Sequence, residues 1–361
     1  MKILIDIGHP AHVHYFRNFI KIMENKGHSF LVTARDKEVA HSLLNNYKII
    51  YIDRGKGYKS LLGKLIYMFK ADFLLLKLSL KFEADVFLSF SSPYAAQVAW
   101  FLRKSHIAFD DTEHAKLEHM MYVPFTDVVL TPKCFQKDFG KKHIRFNSFM
   151  ELCYLHPNYF TPDPSVLELL GVEKGEKYVI LRFVSWRASH DMGHTGISIK
   201  NKIKAVKGFS KYGRVFISSE GELPEGLKRY QIKIPPEKMH DALAYASLLF
   251  GESATMASEC AVLGTPAIFL DNDGRGYTDE EENKYGLVFN FTESLEDQQK
   301  SIQKGIDLLS IDNIKKEWQK RRDKMLSEKI DANAFIIWFI ENYPRSVKIM
   351  KVNPEYQYSF R

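Results

Sequence analysis

Short apolar runs alternate with amphipathic stretches along the first half of the chain. This alternation is typical of βαβ units, in which helices cover a parallel sheet. The pattern predicts six strands, at Ile3–Ile7, Ser29–Thr33, Ile49–Ile52, Val86–Phe90, Ile107–Phe109 and Val128–Leu130. It predicts helices between them, near Val13–Asn25, Lys37–Leu44, Tyr58–Phe82, Tyr94–Arg103 and Lys116–Tyr122. Six strands with interleaved helices make a complete doubly wound domain.

Residues 154–165 interrupt the alternation with three prolines and little periodicity. Each proline restricts the residue before it to an extended conformation, so this segment is predicted to be a linker between residues 1–153 and 166–330. The alternation then resumes with predicted strands at Tyr178–Phe183, Arg214–Ser218, Gln231–Ile234, Leu248–Phe250 and Ala267–Leu270. Helical patterns follow near Leu295–Leu309, Asn313–Leu326 and Ala332–Asn342. The fold class is therefore α/β with two Rossmann-like domains, and residues 331–361 are expected to pack back on the first.

Composition narrows the range of partners and compartments. Lys plus Arg total 51 against 44 for Asp plus Glu, a net charge of +7 that attracts phosphates, nucleic acid or an anionic membrane face. The basic residues are dispersed, with no motif of interleaved aromatics, which argues against nucleic-acid binding. Three cysteines without metal-ligand spacing, and a start that lacks a signal-peptide pattern, favour the cytoplasm.

The most informative stretch is residues 251–266, which lies between two apolar strands. Small residues after Gly251, at Ser253, Ala254 and Thr255, let backbone N–H groups approach a diphosphate at a helix N-terminus, where the dipole favours negative charge. Glu259 lies one turn further on, on the face of Thr255, and could accept hydrogen bonds from ribose hydroxyls. The alternative is a plain N-cap by Ser253 or Thr255, with Glu259 in solvent.

Polar residues also follow two predicted strands of the first domain. The turn Gly8–His14 opens the first helix with three histidines, His9, His12 and His14. The loop after the fifth strand carries four more polar residues, namely Asp110, Asp111, Glu113 and His114. Both segments are placed at the carboxyl edge of the sheet, where α/β proteins bind ligands. The alternatives are histidines that cap or pack the helix and a solvated acidic loop.

These segments resemble the nucleotide-sugar sites of GT-B glycosyltransferases and of non-hydrolysing UDP-N-acetylglucosamine 2-epimerases. The resemblance is closer still to a prokaryotic GT-B-like family of long-unassigned activity, often encoded among surface-polysaccharide genes. The matching segments, spread over residues 3 to about 325, are residues 5–14 (IDIGHPAHVH), 111–115 (DTEHA) and 151–157 (ELCYLHP), and Arg182 with 188–191 (ASHD). The resemblance implies two facing Rossmann-like domains with a cleft between them.

In the first domain, the resemblance implies a role for one histidine. Residues 11–13 are similar to the Gly-His-x segment of GT-B transferases, whose histidine lies by the reacting sugar. His12 is therefore the first candidate for the general base, since imidazole titrates near neutrality, with His9 and His14 as substrate-binding neighbours. Asp111 and Glu113 are the alternative acid–base groups, and paired carboxylates also occur in the epimerases.

In the second domain, the resemblance implies a donor site at the strand ends. Arg182 and Ser185 would face the departing diphosphate, which positive charge stabilises. Ser219 is expected to bind nucleotide or phosphate, and Ile234 to lie where GT-B proteins hold the uracil edge. Asp271 begins an acidic pair, but GT-B enzymes generally need no catalytic ion, so sugar hydroxyls are expected there and no metal. Ordinary strand-end turns are the alternative.

Residues 59–81 form a basic amphipathic segment, with Lys59, Lys70, Lys77 and Lys81 on one side and leucines and aromatics around much of the rest. Its charges exclude a spanning helix. Two possibilities stay open, a helix lying on the membrane surface to reach a lipid-linked acceptor, and a core helix with a lysine-rich solvent face.

The sequence thus predicts an inverting, metal-independent glycosyltransferase that uses a UDP-sugar as substrate, with UDP-N-acetylhexosamine as one option. The acceptor would be a saccharide or a lipid-linked molecule in cell-surface polysaccharide or glycolipid assembly. The protein would need no cofactor and would work in the cytoplasm, with the inner face of the membrane as an option. The alternative is a UDP-N-acetylhexosamine 2-epimerase, which requires no acceptor.

Overall fold

A computed structural model describes residues 1–37, 39–58, 60–184 and 195–361. The chain divides into a first unit, residues 1–159 and 329–361, and a second unit, residues 160–328. It passes from the first unit to the second between Tyr159 and Phe160, inside the proline-rich segment. It returns after Glu328, so the C-terminal helices belong to the first unit.

The first unit contains a parallel sheet with helices on both faces. Over the described residues its strands are β1 (Lys2–Ile7), β2 (Ser29–Ala34), β3 (Tyr51–Asp53), β4 (Val86–Phe90), β5 (Ser105–Phe109), β6 (Val128–Pro132) and β7 (His143–Phe146). Its helices up to the boundary are α1 (Pro10–Asn25), α2 (Ala40–Asn46), α3 (Leu61–Phe82), α4 (Pro93–Phe101), α5 (Lys116–Tyr122) and α6 (Leu152–Leu155). The strand order is β3-β2-β1-β4-β5-β6-β7, and Ile5 lies opposite Val32 on one side and Leu88 on the other.

The second unit repeats this architecture with a smaller sheet. Its strands in the described part of the chain are β8 (Tyr178–Phe183), β9 (Arg214–Ser219), β10 (Leu248–Gly251), β11 (Ala267–Leu270) and β12 (Val288–Phe291). Its helices there are α7 (Val166–Leu170), α8 (Ile199–Phe209), α9 (Glu225–Lys228), α10 (Met239–Tyr245), α11 (Ala254–Leu263), α12 (Gly276–Asn283), α13 (Leu295–Ser310) and α14 (Ile314–Glu328). The strand order is β12-β11-β10-β8-β9, and the pairs are parallel.

Two further helices, α15 (Ala332–Glu341) and α16 (Arg345–Val352), complete the first unit. Asp331 caps α15 by accepting the N–H of Ala334, and it also accepts the hydroxyl of Tyr159 at 2.7 Å. Phe335 of α15 stacks on Phe146 at the end of β7, with ring centroids 5.5 Å apart. The tail thus forms a helical layer, where the sequence alone indicated no period beyond Pro344.

Each sheet has one point at which the strand order reverses. In the first unit the chain builds outward from β1 through β2 and β3, then crosses to β4 on the other side of β1. In the second unit it crosses in the same way from β9 to β10, which pairs with β8. The loops after β1 and β4, and after β8 and β10, diverge at these points. Such switch points form the crevices in which α/β proteins bind ligands.

The alternation of apolar and polar residues located most strands to within two residues, with three exceptions. The prediction of a strand at Gln231–Ile234 is wrong, because this segment makes an isolated bridge between Gln231 and Ile217 and then meets Pro235 and Pro236. Proline has no N–H to extend a ladder of hydrogen bonds. The short strands β7 and β12 were not predicted, since four residues carry too little alternation to distinguish them from loops.

Candidate functional site

His12 lies at the switch point of the first unit, in the first turn of α1. His9 caps this helix by accepting the Ala11 N–H, and Pro10 occupies the first helical position. The His12 ring lies 4.8 Å from the ring of Phe90, which ends β4, and its Nδ1 accepts the Gly8 N–H at 3.3 Å. Burial, followed by the charges of Lys37 and Arg54, lowers the pKa of His12 to about 3. The neutral ring therefore carries its proton on Nε2 and presents a hydrogen-bond donor.

Asp111 follows β5 and is connected to His12 through Tyr15. The Tyr15 hydroxyl donates to Oδ2 of Asp111 at 3.2 Å, and its ring stacks on His12 with centroids 6.2 Å apart. Burial, followed by the charge of Asp110, raises the pKa of Asp111 to about 7. A carboxyl with this pKa suits proton transfer at neutral pH, whereas an imidazole with a pKa of about 3 does not. The general base stays a prediction among His12, Asp111 and Glu113, and these pKa values favour Asp111.

Asp110, the neighbouring carboxylate, is occupied by its surroundings. Its Oδ2 accepts the Tyr122 hydroxyl at 2.5 Å and lies 2.9 Å from Nε2 of His119, while Oδ1 accepts the Thr112 N–H. Asp110 is fully buried. It therefore holds the loop after β5 in place. Asp111 is the slightly more exposed of the two carboxylates.

Glu113, the third acidic candidate, is half-buried on the same loop. Its Oε1 accepts the Gln136 N–H at 3.3 Å, which ties the loop after β5 to the loop after β6. This contact helps to position the loop that carries Asp110 and Asp111.

His14 lies away from this group. Two residues along a helix correspond to about 200° of rotation, so the side chains of His12 and His14 point in opposite directions. The His14 ring stacks on Tyr154 with centroids 5.2 Å apart, and its Nδ1 lies 3.3 Å from the Tyr47 hydroxyl. Tyr154 is fully buried. His14 thus packs α1 against segment 151–157, and the structure does not bring it together with His12 as a substrate ligand.

A buried ion pair beneath the switch point was not singled out from the sequence. Arg54, which follows β3, donates from Nε to Oδ1 of Asp6 at 2.8 Å, and Thr33 and Ser92 donate to the same carboxylate. The Nη1 of Arg54 donates to the Tyr67 hydroxyl of α3 at 2.8 Å. An aspartate within the apolar run of β1 was the available signal, because a buried charge requires a partner.

In the second unit, the loop from β10 into α11 lies at the switch point, at the carboxyl edge of the sheet. A Cβ at Gly251 would lie 2.0 Å from the carbonyl oxygen of Arg182 on β8, so close pairing of these strands requires glycine there. Ser253 caps α11 by accepting the Met256 N–H, and Ala254 and Thr255 form the first turn. Gly264 ends α11 in a left-handed conformation, which favours glycine. The small-residue turn is therefore the start of a helix that opens at the carboxyl edge of the sheet.

Two arginines carry positive charge at this edge. Arg182 donates from Nη1 to the Ser218 hydroxyl at 3.0 Å and from Nη2 to Oε1 of Glu220 at 2.5 Å. Arg275, which was not predicted, has Nη2 3.3 Å from Oδ2 of Asp271 after β11. Asp271 is buried and also accepts the Asp273 N–H. It therefore organises its loop and holds Arg275, and its contact with sugar hydroxyls stays a prediction.

Glu259 is 4% exposed, and its Oε1 lies 2.9 Å from Nε2 of His240 on α10. The alternative of a solvated Glu259 is therefore wrong. His240 follows the two prolines after Ile234, and no spacing in the sequence connects it to Glu259. Ile234 is half-buried just before these prolines. Ser219 donates its hydroxyl to the Gly221 carbonyl at 2.9 Å, which closes the turn after β9.

Buried carboxylates also anchor the chain on either side of residues 185–194. Glu252, after β10, accepts the N–H groups of Val184 at 2.8 Å and of Ile197 at 2.5 Å. Glu293, after β12, accepts the N–H groups of Thr195 and Gly196. The predicted ligand Ser185 and the matching segment 188–191 lie outside the described residues. In the part of the chain that the structure describes, no three His, Cys, Asp or Glu side chains group as metal ligands.

The sequence of this chain is similar to one protein family and to one archaeal protein. The model of a family described as "Protein of unknown function (DUF354)" matches residues 1–274. An uncharacterized protein of Methanocaldococcus jannaschii, MJ0665, is 26% identical over 279 residues, which are 74% of this chain and 81% of that protein.

Two solved structures have a similar fold at low sequence identity. The UDP-GlcNAc 2-epimerase of Neisseria meningitidis, bound to UDP-GlcNAc, matches with a TM-score of 0.65 and 13% identity, over 97% of this chain and 98% of its own. The spinosyn rhamnosyltransferase SpnG, complexed with spinosyn aglycone, matches with a TM-score of 0.60 and 12% identity, over 95% and 100%. The prediction of a GT-B type α/β fold with two Rossmann-like domains is confirmed.

Proposed function

This chain belongs to the DUF354 family, and from the chemistry at its two sheet edges we propose that it is an inverting glycosyltransferase that uses a UDP-sugar. The observation that carries the proposal is the buried carboxyl of Asp111, whose pKa of about 7 suits it to take a proton from an acceptor hydroxyl. The acceptor is a saccharide or a lipid-linked molecule of cell-surface polysaccharide or glycolipid assembly.

The donor half of the reaction is assigned to the second unit. The first turn of α11 offers backbone N–H groups to a diphosphate, and the helix dipole adds positive potential. Arg182 supplies a guanidinium at the neighbouring strand end, and a cation there stabilises the diphosphate as it leaves. These groups supply the charge for the leaving group, so the proposed reaction requires no metal ion and no cofactor.

The acceptor half is assigned to the first unit. The acceptor oxygen forms a bond to the anomeric carbon while the bond from that carbon to the diphosphate oxygen breaks. The electron pair leaves with UDP, and the acceptor proton passes to Asp111. Direct displacement inverts the configuration at the anomeric carbon. His12 donates its Nε2–H to a substrate oxygen, as its proton position allows.

A 2-epimerase is the second candidate, because the fold is shared with the N. meningitidis enzyme and two carboxylates lie side by side after β5. Epimerisation by elimination and re-addition requires acid–base groups but no acceptor. The contacts of Asp110 with Tyr122, His119 and Thr112 favour a structural role for one of the two carboxylates. That assignment favours the transferase, in which one base is sufficient.

Release of UDP separates the two functions. UDP-sugars, beginning with UDP-GlcNAc, are incubated with and without a lipid extract as acceptor source, and free UDP is measured. The transferase predicts UDP release that depends on acceptor and falls in the Asp111→Asn variant. An epimerase would instead produce the epimeric UDP-sugar without acceptor. Stabilisation of the fold by UDP, but not by CDP or GDP, would test the preference for uracil as the nucleobase of the donor, independently of turnover.

A further inference from the structure

The outer face of α3 is apolar along its whole length. Leu62, Ile66, Phe69, Phe73 and Leu80 recur at intervals of three, four and seven residues, so they form one line along the helix. Their side chains are 46% to 70% exposed. At 1.5 Å per residue, the line from Leu62 to Leu80 is about 27 Å long.

The opposite face of the same helix is the packed one. Tyr67, Ala71 and Leu75, spaced by four residues, are buried, and Leu75 joins the core cluster with Phe87 and Val98. A helix that covers a soluble core normally carries polar residues on its outer face. The packed face and the exposed lysines of α3 fit a core helix with a lysine-rich solvent face, but the apolar line is exposed in addition to them.

The helices packed next to α3 in the same layer also expose large apolar side chains. Helix α4 packs against α3, and its last two residues, Trp100 and Phe101, are 62% and 68% exposed. Helix α5 packs against α4 and exposes Leu117 and Met120. The outer residues of these three helices, namely Leu62, Ile66, Phe69, Phe73, Leu80, Trp100, Phe101, Leu117 and Met120, are together called the α3–α5 surface.

Positive charge borders the apolar line. Within α3 there are four lysines and one aspartate, a net charge of +3, and Lys70, Lys77 and Lys81 are exposed. The charge of this helix repels a second copy of the same surface and attracts an anionic one. Among the described helices none is long and apolar enough to cross a bilayer, so a lipid partner would be bound from one side.

We infer that the α3–α5 surface binds the face of an anionic lipid bilayer. The apolar line would enter the boundary between headgroups and acyl chains, as in helices that lie in the membrane plane. The lysines would extend along the helix to reach lipid phosphates. Trp100 has the amphipathic ring that is favoured at the headgroup level.

The inner face of α3 connects this surface to the candidate site of the first unit. Tyr67 accepts a hydrogen bond from Arg54, whose charge contributes to the lowered pKa of His12. Helix α3 also begins soon after β3, at the carboxyl edge of the sheet. This part of the inference rests on the proposed function: the acceptor is an amphiphile held in the bilayer, with its hydroxyl presented at that edge.

Flotation with lipid vesicles tests the inference on the full chain. Vesicles of phosphatidylcholine mixed with phosphatidylglycerol should bind the protein, and vesicles of phosphatidylcholine alone should bind it much less. The double variant Phe69→Gln/Phe73→Gln should lose at least about tenfold in vesicle affinity, since it removes two aromatic side chains that the bilayer would bury. Each of Lys70→Gln, Lys77→Gln and Lys81→Gln should cost about fivefold at low salt.

The matched control is Ile199→Gln/Ile203→Gln on α8, which also exposes apolar residues among lysines. This control should leave vesicle binding unchanged. Because the altered phenylalanines face outward, the melting temperature should also stay unchanged. Equal losses in both double variants, no wild-type binding, or a lipid-free dimer that the phenylalanine variant dissociates would each overturn the inference. A thermal shift by UDP, measured on the same samples, reports the donor site separately, so vesicle binding without any nucleotide binding would reject the proposed function alone.

Discussion

Replacing Asp111 with asparagine should stabilise the protein more at alkaline than at acidic pH. Burial and Asp110 raise the pKa of Asp111 from 3.8 to about 7, so the folded protein holds this proton more tightly than the unfolded chain. At about 1.4 kcal/mol for each pKa unit, charging the buried carboxyl above pH 7 costs the folded state about 4 kcal/mol. Asparagine removes this cost.

The direction of the pH dependence follows from the number of protons that the folded and unfolded states bind. Between pH 3.8 and about 7 the folded state binds more protons than the unfolded state, so the contribution of Asp111 to stability declines as pH rises through this window. Part of the cost is already present at pH 5. The difference in free energy of unfolding between variant and wild type should therefore grow by about 2–3 kcal/mol from pH 5 to pH 8. Weakened hydrogen bonds from Tyr15 and Thr112 subtract about 1 kcal/mol each from the stability of the variant, and their preference for the charged carboxylate is already contained in the pKa of about 7.

Equilibrium urea unfolding at the two pH values measures this growth. Thr112→Val is the matched control, because it removes one hydrogen bond to the carboxylate and retains the ionisable group. The control should change in the opposite direction, becoming less stable relative to wild type at pH 8 than at pH 5, because the Thr112 hydrogen bond lowers the pKa of Asp111. A variant-minus-wild-type difference that stays constant for Asp111→Asn would refute the raised pKa and, with it, the choice of Asp111 as base.

Three further outcomes test the site. Arg182→Gln should weaken UDP binding by roughly 1.5–3 kcal/mol per lost contact, measured by calorimetry, and unchanged affinity would remove it from the diphosphate site. His240→Ala should destabilise the protein by about 3–5 kcal/mol, because it leaves the buried Glu259 carboxylate without this partner; a loss below about 1 kcal/mol in thermal unfolding would contradict that. His12→Ala should lower kcat but retain a pH–rate limb near pH 7 that belongs to Asp111, and disappearance of this limb would return the base to His12.

The fold and the location of the sites could be predicted from order along the chain. Strand ends follow from apolar runs, and parallel strands bring their carboxyl ends to one edge, so the turns at Gly8–His14 and 251–255 were placed correctly at that edge. The direction of individual side chains could not be predicted in the same way. His12 and His14 belong to one motif, but helical rotation sends His14 into the packing against Tyr154.

Contacts between residues far apart in the sequence could not be predicted from the pattern of apolar and polar residues either. The Arg54–Asp6 and His240–Glu259 pairs join residues 48 and 19 positions apart, and nothing in local spacing marks them. The pKa values of His12 and Asp111 depend on burial and on charges from other loops, which a sequence of residue types does not contain. For this reason the sequence places His12 first among the candidate bases, whereas the pKa values in the fold favour Asp111.

The two sheet edges differ in charge in a way that fits a division of the proposed reaction. A departing diphosphate requires fixed positive potential, and the second unit holds Arg182 there through Ser218 and Glu220. A general base requires the opposite, a carboxylate whose charged form is made costly by burial so that it accepts a proton near neutral pH. The first unit meets this requirement by placing Asp111 beside Asp110 and away from water.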